Sequence, residues 1–258
     1  MHRVACAGFP VPVSRYFGLL DAVEIVETEL GLVSDGTVRR WKREAPPGAA
    51  FSLLAPRRIG DGGFAAFREQ RDLLDGIAEI ARRLDAVAVV FCAPDGVRCG
   101  RELYAAAGAL SRALPRGFPV AVFDVPGADV EALAAAVDPK RATVAYDPFE
   151  TPSAAIGGPL RYVRCPGPAG RRSRYDEAAI ARLAEHVAAL PEAFVVFRNQ
   201  DMLVNARALR TALEEAARRA EPRPHVSAER VGTRADRVTG RARTTQARRS
   251  ATGSSRSR

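Results

Sequence analysis

The sequence predicts a single (β/α)8 barrel, an α/β fold of the TIM type, over residues 1–220, followed by a disordered basic tail over residues 221–258. Three observations predict it. Eight short apolar runs alternate along the chain with amphipathic helical stretches. Several runs are apolar on successive residues, as in Val87-Ala88-Val89-Val90-Phe91, which is how a strand covered on both faces of a parallel sheet reads. No Gly-x-Gly-x-x-Gly follows the first run, so the open doubly wound sheet, which obeys the same crossover rule, loses its main support.

The runs fall at residues 4–6, 23–26, 51–54, 86–91, 119–123, 143–146, 161–163 and 193–197. Between the third and fourth, Phe67, Leu74, Ile77 and Leu84 lie near one helical face. Gly76 inside that helix costs about 1 kcal/mol relative to Ala, which a long helix tolerates. Ile180, Leu183, Val187 and Leu190 repeat the spacing before the last run, and Met202, Ala206, Leu209 and Leu213 repeat it after, with Asp201 as the expected N-cap. Between the sixth and seventh runs, residues 148–159 hold three Pro and two Gly and read as loop. From residue 221 onward there is no Leu, Ile, Phe, Tyr or Trp, so burial there cannot offset the entropy of ordering.

A length of 258 residues suits one barrel, and 47% hydrophobic with 27% charged residues is a globular composition. The formal charge of +9 is unevenly placed: residues 221–258 carry ten Arg against three acids, so the barrel itself is nearly neutral. Arg outnumbers Lys 37 to 2, a compositional bias that weakens raw Arg counts as a sign of nucleic-acid binding. The four Cys form no Cys-x-x-Cys pair, which leaves no zinc knuckle or thioredoxin-like motif. No apolar run is long enough to span a bilayer and the N-terminus carries no signal-peptide core, so a cytoplasmic protein is expected.

Several stretches, in order, resemble the YecE-like family (DUF72), a barrel group of unknown function. Val4-Ala5-Cys6-Ala7-Gly8-Phe9 resembles its opening, where Gly-Thr-Ser-Gly-Trp is usual. Val23-Glu24-Ile25 resembles its second strand, and Trp41 stands at the expected distance beyond. Pro46-Pro47-Gly48, Phe51 and Ala55-Pro56-Arg57 resemble the stretch around its third. Tyr162-Val163-Arg164 with Gly167 is similar to its seventh strand, and Phe197-Arg198-Asn199 with Asn205-Ala206 to its last. The resemblance implies the barrel. It also implies a divergent member, because many of the family's pocket residues are replaced. Val26 and Leu30 stand where Asn and Tyr are usual, Leu54 where Lys is, Asp61 and Pro166 where His is, and Cys92 where Gln is. The family's Glu-Phe-Arg-His stretch after the fifth strand is replaced around Phe123-Asp124-Val125-Pro126. Glu24, Asp147, Arg164 and Asn199 remain.

Barrel sites form at the C-terminal ends of the strands, which selects the candidates. Glu24 lies inside the second run, where a carboxylate must be paired or have a raised pKa. It reads either as a general base or metal ligand, or as half of an ion pair with an Arg. Asp124 and Asp147 end the fifth and sixth runs. With Glu24 they could share a divalent cation or divide acid and base roles; each could equally cap its own loop. Arg57 and Arg164 end the third and seventh runs, and each offers a planar fork for carboxylate or phosphate. The loop after the seventh run carries Gly167, Gly170, Arg171 and Arg172, and barrels often bind phosphate with the loops after strands seven and eight. Asn199 ends the eighth run and could orient a ligand or satisfy a turn. His2, His186 and His225 are all poorly placed for this face, which argues against a His-ligated metal or a Ser-His-Asp triad. Cys92 and Cys165 could meet at the mouth, but lack a basic partner.

The leading expectation is a barrel that binds a small phosphate- or carboxylate-bearing ligand through Arg57, Arg164, Gly167 and Asn199, with Glu24 and Asp147 at any reacting end. A divalent-metal-assisted hydrolase or lyase using Glu24, Asp124 and Asp147 is the second expectation. A nucleic-acid accessory role through the basic tail alone is the third; that tail lacks aromatic residues for stacking. No cofactor follows from the sequence, and no membrane partner is expected.

Overall fold

The computed structural model describes residues 2–151 and 156–220; the expected tail over residues 221–258 lies outside the described residues. Strands β1 (His2–Ala7), β2 (Ala22–Ile25), β3 (Ala50–Leu54), β4 (Ala88–Cys92), β5 (Val120–Asp124), β6 (Ala142–Tyr146), β7 (Arg161–Cys165) and β8 (Ala193–Phe197) match the eight apolar runs to within two residues at each end. All neighbours pair in parallel, and β8 returns to β1 with Cys6 opposite Phe197, so the sheet closes into a barrel.

The helices among the described residues are α1 (Val13–Tyr16), α2 (Asp35–Glu44), α3 (Arg71–Leu84), α4 (Arg101–Ala113), α5 (Val130–Ala136), α6 (Glu177–Ala188) and α7 (Met202–Ala220). The described part of residues 148–159 holds no helix, as its Pro and Gly content dictates.

Alternate residues of each strand fall into two clusters. One, including Val23, Phe51, Phe91, Phe123, Val163 and Phe197, packs against the helices. The other faces the barrel axis and begins with small side chains: Ala5, Ala22, Ala50, Ala88 and Ala145. Two large rings fill the space these leave, Tyr162 and Phe194, stacked at 5.4 Å with planes 5° apart. The same alternation continues toward the C-terminal ends and sets the inward direction of Glu24, Ser52, Cys92, Asp124, Arg164 and Arg198.

Of the face expected from Phe67, Leu74, Ile77 and Leu84, the last two are buried in α3, Leu74 is half-buried, and Phe67 falls in a separate 3₁₀ turn (Phe67–Gln70) before the helix. In α3 the buried set is Ile77, Ile80, Ala81 and Leu84, and in α6 it includes Ile180, Leu183 and Val187. At Gly76 an added Cβ would stand 2.2 Å from Cδ1 of the exposed Leu32, whose side-chain end would have to shift. Asp201 holds the expected N-cap position of α7, its carbonyl oxygen accepting the N–H of Asn205 at 3.0 Å. Its Oδ2, however, accepts Nε of Arg174 at 2.9 Å, because the loop after β7 brings that cation alongside.

Candidate functional site

The inward residues at the strand tips form one charged network. Arg164, on β7, is buried, at 4% exposure, between two carboxylates. Its Nη2 donates to Oε1 of Glu24 at 2.7 Å, and its Nη1 donates to Oδ2 of Asp124. The other Glu24 oxygen accepts from the Tyr162 hydroxyl at 2.8 Å, and Ser52 Oγ lies 2.7 Å from that hydroxyl. Cys92 sits beside the pair, its Sγ 3.5 Å from Arg164 Nη1. Burial opposes the charge on Arg164, but Glu24 and Asp124 outweigh it and hold the guanidinium protonated well above the ordinary range. Burial also pushes the Cys92 thiol up to about 12, so it is not a thiolate at neutral pH.

This geometry decides between the roles open in the sequence. Glu24 is half of an ion pair, with both oxygens engaged, and not a free base. Asp147 does not join the network: its Oδ1 accepts the N–H of Phe149 at 2.9 Å within its own turn, and burial raises its pKa. The three carboxylates of the metal-assisted reading are therefore not assembled, and Arg164 already fills the space between two of them. Among the described residues no group of three His, Cys, Asp or Glu is arranged to hold a metal ion. Cys92 and Cys165 do not meet. Cys92 faces the axis, whereas Cys165 lies in the cluster packed against the helices.

The residues expected to hold an anion are also redistributed. Arg164 is consumed by its carboxylates. Arg57 is exposed at the start of a short 3₁₀ turn after β3, four strands around the barrel from β7. Gly167 shapes its loop: its N–H donates to the Tyr175 hydroxyl at 2.9 Å, and with φ at +108° a Cβ would stand 2.3 Å from Gly170 O. Asn199 is buried, and its Nδ2 donates to Ser173 O and to Asn205 Oδ1, both at 2.9 Å. Neither Gly167 nor Asn199 is free to grip a ligand through those groups; both fix the loop after β7.

That loop carries the cations. The N–H of Gln200 donates to Arg171 O at 2.6 Å, Asn199 holds Ser173, and Arg174 pairs with Asp201. Three ties thus hold the loop after β7 against the turn between β8 and α7. Between them lies a cleft of about 380 Å3 lined by Arg171, Arg172, Arg198, Asn199, Gln200 and Met202. Arg171 and Arg172 are exposed, and within the described residues their guanidiniums have no carboxylate partner. Arg198 bridges cleft and network: its Nη1 is 3.7 Å from Asp124 Oδ2, and its buried Nε has no hydrogen-bond partner. Arg198, Tyr162 and Ser52 are not among the sequence candidates, although alternation from Phe194 and Val196 points Arg198 inward.

A larger cleft, about 490 Å3, opens between the loops after β3 and β4. It mixes Arg98 and Arg101 with Glu102, its Cys99 is tied to Pro126 O at 3.4 Å, and it includes no strand-tip residue.

Comparison with known proteins agrees with this architecture. The family model described as "Protein of unknown function DUF72" matches residues 12–229. No curated protein matches the chain. Among solved structures, a DUF72 family protein (EF0366) from Enterococcus faecalis is similar with a TM-score of 0.67 at 15% identity, over 83% of this chain and 96% of that one. Another DUF72 family protein (TM1631), from Thermotoga maritima, gives a TM-score of 0.62 at 15% identity, over 83% and 99%. An L-ribulose 3-epimerase gives 0.58 at 15% identity, over 85% and 97%. At such identities these structures speak to the fold alone.

Proposed function

The chain belongs to the DUF72 family, proteins of unknown function, and from that premise we propose that it binds a small anion at the C-terminal mouth of its barrel. The observation that carries this reading is the convergence of Arg171 and Arg172, beside the Asp124-paired Arg198, on one cleft whose two walls are cross-tied. The ties fix the backbone from which Arg171 and Arg172 project, so both guanidiniums start from a common wall of the cleft, and each offers a planar fork to an oxyanion. The cleft lies at the loops after β7 and β8, where barrels commonly seat phosphate. The carboxylates beneath it are already paired with Arg164 and Arg198, which suits the mouth to holding a ligand rather than moving its protons. We place this activity in the cytoplasm, where the four free thiols persist.

The test is calorimetric titration of the full chain with inorganic phosphate and sulfate at low salt, repeated on Arg171→Ala/Arg172→Ala. The wild-type protein is expected to bind, and the double variant to bind at least about tenfold more weakly, near 1.4 kcal/mol, with an unchanged melting temperature. No binding of either anion, or equal binding by the double variant, would overturn the reading.

A further inference from the structure

The charges of the strand-tip network and of the cleft wall can be counted residue by residue. Glu24 and Asp124 contribute two negative charges, and Arg164 and Arg198, both within ion-pair distance of them, two positive ones. Arg174 beside the cleft is cancelled by Asp201 at 2.9 Å. What remains on the cleft wall is Arg171 and Arg172, two cations with no partner within the described residues. The cleft is therefore short of two negative charges, not one. It is also wider than a bare oxyanion needs: about 380 Å3 lies within the range of small-molecule sites, roughly 300–1,000 Å3. Gln200 supplies an amide and Met202 an apolar surface along the rest of the wall.

From this balance we infer that the ligand is a phosphate monoester with a small polar body, rather than a carboxylate. The inference rests on the anion cleft proposed above and names its ligand class. A phosphate monoester carries close to two negative charges near neutral pH, whereas a carboxylate brings one. Its three terminal oxygens can meet two guanidinium forks at once, which a single carboxylate cannot do as well. The ester linkage lets the body extend along Gln200 and Met202 instead of leaving the volume empty.

The experiment compares four probes on the full chain at pH 7.5 and fixed ionic strength: glycerol 3-phosphate, glycerate, inorganic phosphate and glycerol. Glycerate and glycerol 3-phosphate share a three-carbon body, so the comparison isolates the charged group. Glycerol 3-phosphate is expected to bind at least tenfold more tightly than glycerate and no more weakly than inorganic phosphate. Arg171→Ala and Arg172→Ala are each expected to lower that preference severalfold, with glycerol silent throughout. Equal binding of glycerate and glycerol 3-phosphate would overturn the dianion assignment while leaving anion binding intact. Binding of inorganic phosphate but not of its ester would overturn the monoester. A preference unchanged in both single variants would place the discrimination outside this cleft and overturn the inference. Absence of binding by every anion would instead overturn the anion cleft itself.

Discussion

At Arg164 two inward carboxylates meet one guanidinium, and removing either partner leaves a charge with little water to solvate it. Glu24→Ala is expected to lower stability by about 3–5 kcal/mol, read as a shift in the urea midpoint at unchanged slope. Exchanging both Glu24 and Arg164 for apolar side chains of similar volume is expected to cost less than the single change, since Asp124, at the rim, keeps Arg198 at 3.7 Å as its counter-ion. A loss below about 1 kcal/mol for Glu24→Ala would mean that water reaches the site. The ion-pair role of Glu24 was one of two readings available from its place inside an apolar run. Its partner was not readable, because Glu24 and Arg164 are 140 residues apart and the tilt of the closed barrel decides which strand tips face each other.

Three helices, α3, α6 and α7, were legible from the 3.6-residue spacing of their apolar residues. Side-chain destinations at helix ends were less so. Asp201 had the right type and position to cap α7, but a cation from the neighbouring loop captured its carboxylate. The loop after β7 showed its glycines and arginines in the sequence, yet not the three ties that turn it into a cleft wall. Close helix contacts obey the same logic. On α4, a Cβ at Gly108 would stand 2.3 Å from the backbone oxygen of Ala136 at the end of α5. Gly108→Ala would gain about 1 kcal/mol of helix propensity but force the two helices apart. The expected result is a net loss of roughly 1–3 kcal/mol, measured as a lower melting temperature. A melting temperature at or above that of the wild type would show that α5 yields at no cost.

Across the whole molecule, proton linkage separates the histidines from the acids. His186 donates to or accepts from the Tyr146 hydroxyl at 3.0 Å, and burial lowers its pKa below 6.5. The folded state therefore takes up its proton later than the unfolded chain, and stability falls as the pH drops below 6.5 toward the folded value. His2 acts in the same sense, whereas Asp147, raised by burial, acts in the opposite one. The wild-type protein is expected to lose more stability between pH 7 and pH 5 than His186→Gln does, as followed by urea midpoints at the two values. Equal losses would mean that the ring is solvated in the folded state. The mouth network has a consequence at this scale as well. Strand β2, in the first half of the barrel, supplies Glu24, while the second half supplies Asp124 from β5, Arg164 from β7 and Arg198 just past β8. Divided at its midpoint, the chain would yield one half with an unanswered carboxylate and another with a surplus guanidinium. Neither half holds a balanced mouth network on its own, so the joining of the halves and the pairing of these four side chains are a single event.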